Sequence, residues 1–227
     1  MSLEDDLKPM IQKLSEKARS VILNDIRQCV LAEATDVSCK SRFGGHVLYL
    51  GNDADIKNRL DGLYLLCDLC CSEIPCTSGL PQTGRILVFA GDDDDVLVRT
   101  ECFFLSDEDD GQWQRESTGG VYDEVSVCFR ESLSLPEFSL TDEDLLAVWE
   151  LYERFKYNNT RLLGHVASDA VSRVGSADWE LLIQIDSVQP ISELNWWDNG
   201  KLQLLVPRGG ITARNLSGSV GVIVGFG

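Results

Sequence analysis

The sequence predicts an α+β fold: a β-rich single domain with two pseudo-repeated β units and flanking helices. Three observations predict it. Apolar residues at helical spacing are confined to two stretches, residues 2–23 and 141–155. Most of the remainder breaks into short β-prone runs bounded by Gly, Pro, Asn and Asp. Two sets of these runs recur at similar spacing. With 227 residues and 44% hydrophobic content, the chain has enough apolar material for a sizeable core.

Residues 1–26 are assigned to an N-terminal helix, in which Leu7, Met10, Leu14, Val21 and Ile22 approximate one stripe and Pro9 marks a kink or a later start. Strands are expected at Cys29 to Leu31, Leu63 to Cys70, Arg85 to Ala90 and Val96 to Arg99. Val125 to Phe129, Leu181 to Ile185, Leu202 to Val206 and Val220 to Val224 complete the set. Between them lies the second helix. Thr141 is its N-cap, Asp142, Glu143 and Asp144 fill its first turn, and Leu145, Val148, Trp149, Tyr152 and Phe155 form its apolar stripe.

The recurrence joins Gly45-His46-Val47, the strand ending at Asp68 and the Gly84-led strand to Gly164-His165-Val166, the strand ending at Asp186 and the Gly200-led strand. From His46 to Asp68 is 22 residues and from His165 to Asp186 is 21; from Asp68 to Gly84 is 16 and from Asp186 to Gly200 is 14. Residues 27–227 are therefore assigned to one domain, with units at about 27–100 and 161–227 and an acidic insert and helix at 101–160.

Charge has both a sign and a location. The net charge is -17, the wrong sign for a protein that must neutralise phosphates, so nucleic acid and anionic membrane are excluded as expected partners. Residues 101–160 carry 15 acidic against 4 basic residues. The N-terminus has no basic and apolar signal pattern, and no apolar run approaches the ~18 residues of a membrane span. A cytoplasmic location is expected, with the eight cysteines as free thiols.

Four features have residue types that could carry chemistry. Cys67 and Cys70 form a C-x-x-C step, but no second pair stands at zinc-site spacing. His46 with Asp68, and His165 with Asp186, would make acid-base pairs if folding joined them, yet no nucleophile motif accompanies them. The run Asp107-Glu108-Asp109-Asp110-Gly111 lacks the alternating ligand order of a calcium loop. Trp196-Trp197-Asp198-Asn199-Gly200 reads as a hairpin turn with two large aromatics. No catalytic residue, metal or cofactor is expected. The partner-binding candidates are Asp92, Asp93, Asp94, Asp95, Asp107, Glu108, Asp109, Asp110, Trp196 and Trp197, because clustered carboxylates steer a basic protein and aromatics anchor it.

Three successive elements, Arg161-Leu162-Leu163-Gly164, Trp179 to Asp186 and Asn195 to Leu202, resemble the bacterial YwqG-like family, a domain of unknown function. Ser41-Arg42-Phe43-Gly44-Gly45, Leu65 to Leu69, and Leu80-Pro81 with Gly84 to Leu87 extend the resemblance to residues 27–227. Val47 stands where the family usually has proline. The resemblance implies a non-enzymatic immunity protein that neutralises a cognate toxin or other basic protein; the alternative is a small-ligand binder or enzyme with a pocket between the two β units.

Overall fold

A computed structural model describes residues 3–45, 48–50, 58–91, 96–107, 113–115, 122–137, 144–155, 159–187 and 200–225. At its centre β1 (Arg27–Ala34) pairs antiparallel with β9 (Val125–Ser134) over eight residues, from Arg27 opposite Ser134 to Ala34 opposite Val127. Two-residue strands flank this pair: β10 (Arg161–Leu162) on β1 and β2 (Arg42–Phe43) on β9. Beyond β2 come β4 (Tyr64–Cys70), β5 (Arg85–Ala90) and β7 (Thr100–Leu105). Beyond β10 come β11 (Trp179–Asp186), β12 (Lys201–Pro207), β13 (Val220–Val224) and β6 (Leu97–Val98). A separate ribbon pairs β3 (Leu48–Leu50) with β8 (Trp113–Arg115).

The result is one antiparallel sheet of 11 strands, and this overturns the α+β expectation. Its two end strands, β6 and β7, are consecutive pieces of the single segment 97–105, so the sheet nearly closes into a barrel. A seam contact supports the closure: a Cβ placed on Gly221 of β13 would lie 2.7 Å from the Thr100 methyl of β7. Nor do the recurring stretches stand as two units with sheets of their own. Each half lends its first strand to the other, β1 to β10 and β9 to β2. Strands β2 and β10, which make the sheet continuous, are too short to show any two-residue alternation.

The register also corrects the spacing. Arg42 faces Asp68, whereas Arg161 faces Gln184 and not Asp186. Gly84 and Gly200 then each follow by 16 residues. Both inner strands slip register at the same place, between Leu65 and Cys67 and between Leu181 and Ile183. Both are held alike: Ser41 Oγ accepts the Cys70 N–H at 2.8 Å, and Thr160 Oγ1 accepts the Asp186 N–H at 3.0 Å.

The barrel interior is packed solid by one apolar cluster that includes Val30, Phe43, Leu66, Ile86, Val127, Leu162, Ile183 and Leu204. A second cluster lies at one end. There α1 (Leu3–Ile11), α2 (Glu16–Asp25) and α3 (Leu145–Phe155) pack on Leu133 and Leu135. The expected single N-terminal helix is thus two. Arg19 bonds the Ile11, Gln12 and Leu14 carbonyls that the break exposes, and Ser15 caps α2 by accepting the Ala18 N–H. Asp144, 3% exposed, takes the Ser15 N–H at 2.7 Å and its hydroxyl at 2.6 Å, tying α2 to the start of α3. The Thr141 cap lies outside the described residues. Two short helices, α4 (Ser168–Val174) and α5 (Gly210–Ala213), complete the chain.

Gly84 shows how tightly the β4–β5 turn is set. Its φ is +86°, and a Cβ there would sit 2.2 Å from the Leu105 carbonyl oxygen. Gly62, at φ +74°, faces open space. Gly84→Ala is expected to cost at least ~2 kcal/mol and Gly62→Ala about 1 kcal/mol, read from urea unfolding midpoints. Equal losses would show that the close approach at Gly84 does not constrain the turn.

Candidate functional site

Two polar rows run across the outside of the sheet at equivalent positions. In the first, Asp68 is fully buried between Arg42 Nη2 at 3.2 Å and Arg85 Nη2 at 2.6 Å. Arg42, 3% exposed, also meets Glu124 at 2.9 Å. In the second row Gln184 replaces the central carboxylate, and its amide oxygen accepts from Gln203 at 3.0 Å. Gln203 in turn takes the Ala167 N–H, and Gln184 donates to the Asn159 carbonyl. Arg161 and Lys201, 2% and 7% exposed, correspond to Arg42 and Arg85.

Burial, with the Arg161 charge adding to it, pushes the Lys201 ammonium down to about 8, against the pull of Asp186 and Glu137. Burial likewise lowers the His165 imidazole, with Arg27 next in effect. The carboxylate that His165 approaches is Asp25, at 3.9 Å, and Asp186 instead faces Lys201 across the strands. Asp68 is committed to its arginines, and His46 lies outside the described residues.

Cys67 and Cys70 stand three apart on β4 and point to opposite faces, which prevents both from ligating one ion. Cys67 belongs to the interior cluster. Among the described residues there is no group of three or more metal-ligating side chains, and no helix is long and apolar enough to cross a membrane.

Of the partner-binding candidates, only Asp107 is described. It is exposed and accepts the Gly84 N–H at 2.9 Å, closing the turn above. Asp92, Asp93, Asp94, Asp95, Glu108, Asp109, Asp110, Trp196 and Trp197 lie outside the described residues.

The expected stripe of α3 holds at Val148, Tyr152 and Phe155, which pack inward, fails at Leu145 and Trp149, and omits Leu151. Its buried face is Val148, Leu151 and Phe155, while Leu145, Leu146 and Trp149 are 50%, 79% and 59% exposed. Leu146, Trp149, Glu150 and Glu153 recur at helical spacing on one outward face. The available signal was Leu146, an apolar residue off the expected stripe. Flanking ion pairs, Lys13 with Glu150 at 2.6 Å and Arg154 with Asp6, lace this helix to α1 and the turn after it.

Two measurements test the polar rows. Asp68→Asn leaves two cations without their shared carboxylate and is expected to cost about 3–5 kcal/mol in urea unfolding; a loss below ~1 kcal/mol would remove the ion pairs from the stability of the sheet. Lys201 is held low in the fold, so the unfolded chain takes up more protons between about pH 8 and its ordinary 10.5. Its contribution to stability therefore rises across that window. Buried thiols oppose it: burial holds Cys29 up at about 11 and Cys71 and Cys102 up at about 12, which removes stability above their ordinary 9. The difference between wild type and Lys201→Met isolates the lysine, and wild type is expected to gain about 3 kcal/mol on the variant from pH 8 to 10.5. Parallel profiles would show an ordinary lysine.

No curated protein matches the chain. A family model for a domain of unknown function, DUF1963, matches residues 41–220, which takes in both polar rows and α3. The chain belongs to the DUF1963 family.

Proposed function

We propose that this protein is a non-enzymatic, cytoplasmic protein-binding protein of the YwqG-like group, an immunity protein that neutralises a basic toxin. The observation that carries the reading is the outward face of α3. A helix that leaves Leu145, Leu146 and Trp149 more than half or about half exposed, beside exposed Glu153 and the Glu150 that Lys13 pairs, offers an apolar anchor with a carboxylate at its edge. It lies inside the most acidic part of the chain, residues 101–160. Carboxylates there raise the rate of encounter with a cationic partner, and the aromatic anchor sets how long the complex lasts.

The experiment is stopped-flow association and dissociation with the product of the neighbouring toxin gene. Trp149→Ala is expected to speed dissociation at least about tenfold with little change in association. Replacing Asp107, Glu108, Asp109 and Asp110 by Asn or Gln is expected to slow association several-fold at low salt. The reading fails if the neighbouring product does not bind, or if neither change moves either rate.

A further inference from the structure

Strands β1 and β2 both pair antiparallel with β9, on opposite sides of it, so they run parallel to each other. The chain that joins them, Thr35 to Ser41, has to cross β9 on the way. Parallel strands are ordinarily joined by about a dozen residues or more, so this crossing is short. Its two ends are fixed. The Thr35 N–H bonds the Ser126 carbonyl at 3.0 Å, and on the far side Glu73 accepts the Lys40 and Ser41 N–H groups, each at 2.8 Å. Arg85 also donates to the Lys40 carbonyl, at 3.1 Å. Between these anchors Asp36, Val37 and Ser38 are exposed, Val37 at 68%.

Two cysteines meet at this crossing. Arg42 stands opposite Ser126, and the Val127 N–H bonds the Ser41 carbonyl at 3.1 Å. Carried one step further, the same antiparallel count sets Lys40 across from Cys128, with Cys39 next to it. Val127 belongs to the interior cluster, so Cys128 turns outward, and it is exposed there. Cys39 is partly buried. The two thiols are near enough to feel each other: burial pushes the Cys39 thiol up, and the charges of Glu73 and Cys128 push it further. Of the eight free cysteines, only Cys39, Cys76 and Cys128 are not buried.

We propose that Cys39 and Cys128 form a reversible disulfide that staples the crossing to β9, with hydrogen peroxide as the oxidant and glutathione as the reductant. The exposed Cys128 thiolate attacks one peroxide oxygen; the O–O bond breaks, the sulfur is oxidised to a sulfenic acid, and the other oxygen leaves as hydroxide and is protonated to water. The Cys39 thiolate then attacks the sulfenyl sulfur, the S–O bond breaks, and a second water departs. Two thiols and one peroxide give one disulfide and two waters. Two glutathione thiols reverse the change and leave as glutathione disulfide. Cys39 keeps its proton more firmly than an ordinary thiol, which suits it to resolve the sulfenic acid and not to meet the peroxide first. Neither cysteine lies on α3, so the toxin-binding reading stands or falls separately.

The test treats the full chain with hydrogen peroxide at pH 8, blocks remaining thiols with N-ethylmaleimide, and maps the peptides without reduction. Wild type is expected to yield one intramolecular linkage, Cys39 to Cys128, two hydrogens lighter than the separate peptides and opened by reduced glutathione. Cys76→Ser is expected to form it as wild type does, whereas Cys39→Ser is expected to stop at an oxidised Cys128. A stapled crossing also closes a long loop, so the oxidised protein is expected to melt at least about 5 °C above the reduced one, a gain that Cys128→Ser does not show. Cys128 left as a thiol, over-oxidised in wild type, or linked to Cys76 or to a second chain overturns the proposal. Equal melting temperatures of the reduced and linked forms overturn the stapling role.

Discussion

The pairing of β1 with β9 is the constraint on which the rest of the structure depends. The chain delivers β1 to β10 and β9 to β2, and eight register pairs between β1 and β9 join the two sides of the sheet, which meet again where β6 pairs with β13. Neither half closes its own sheet without the other's strand, and the interior cluster draws Val30 from β1 and Val127 from β9 into one core. The two two-residue strands survive only because they are wedged beside this pair: the Val127 N–H bonds the Ser41 carbonyl and the Ala32 N–H bonds the Thr160 carbonyl, each at 3.1 Å. The family match begins at residue 41, yet β1 lies at the centre of the sheet, so the folded body requires residues before the matched region.

Equivalent frames carry different electrostatics. Arg42 and Arg161 occupy the same register position, as do Arg85 and Lys201, but the residue between them is Asp68 in one half and Gln184 in the other. In the first half a buried carboxylate offsets its two guanidiniums locally. In the second an amide pair of Gln184 and Gln203 takes the Ala167 N–H and bonds the Asn159 carbonyl. Burial lowers the Lys201 ammonium there, with the Arg161 charge adding to it and Asp186 and Glu137 opposing. The common frame thus carries a buried carboxylate in one row and an amide pair in the other.

Much of the strand set was legible from the sequence. Arg85–Ala90 and Val220–Val224 appear with their expected bounds, because apolar runs between turn residues report buried strands directly. The fold class was not. Closure depends on Arg42–Phe43 and Arg161–Leu162, which carry no periodicity, and on segment 97–105 serving both ends of the sheet. The Pro9 kink was placed where a full break follows at Gln12 to Ser15, since the Arg19 guanidinium bonds the exposed carbonyls and Asp144, far away in sequence, holds Ser15, and neither contact shows in helical spacing. The helix at 145–155 was found with Val148, Tyr152 and Phe155 on its packed side, but Leu145 and Trp149 were placed with them and Leu151 was not, because both sets fit helical spacing and only the packing against α1 decides between them.

The same packing decides where so acidic a chain keeps its cations. Only 20 residues are basic, and the fold draws Arg42, Arg85, Arg161 and Lys201 into the polar rows, where they are buried or nearly so. Those four cations are withdrawn from the surface along with the carboxylate Asp68, and Asp144 is the other buried carboxylate among the described residues. The outer surface is consequently more acidic per unit area than composition implies. Against that background the exposed carboxylates beside α3 gain strength as a steering surface. That follows from where the sheet places its cations, four of which it sequesters in the polar rows.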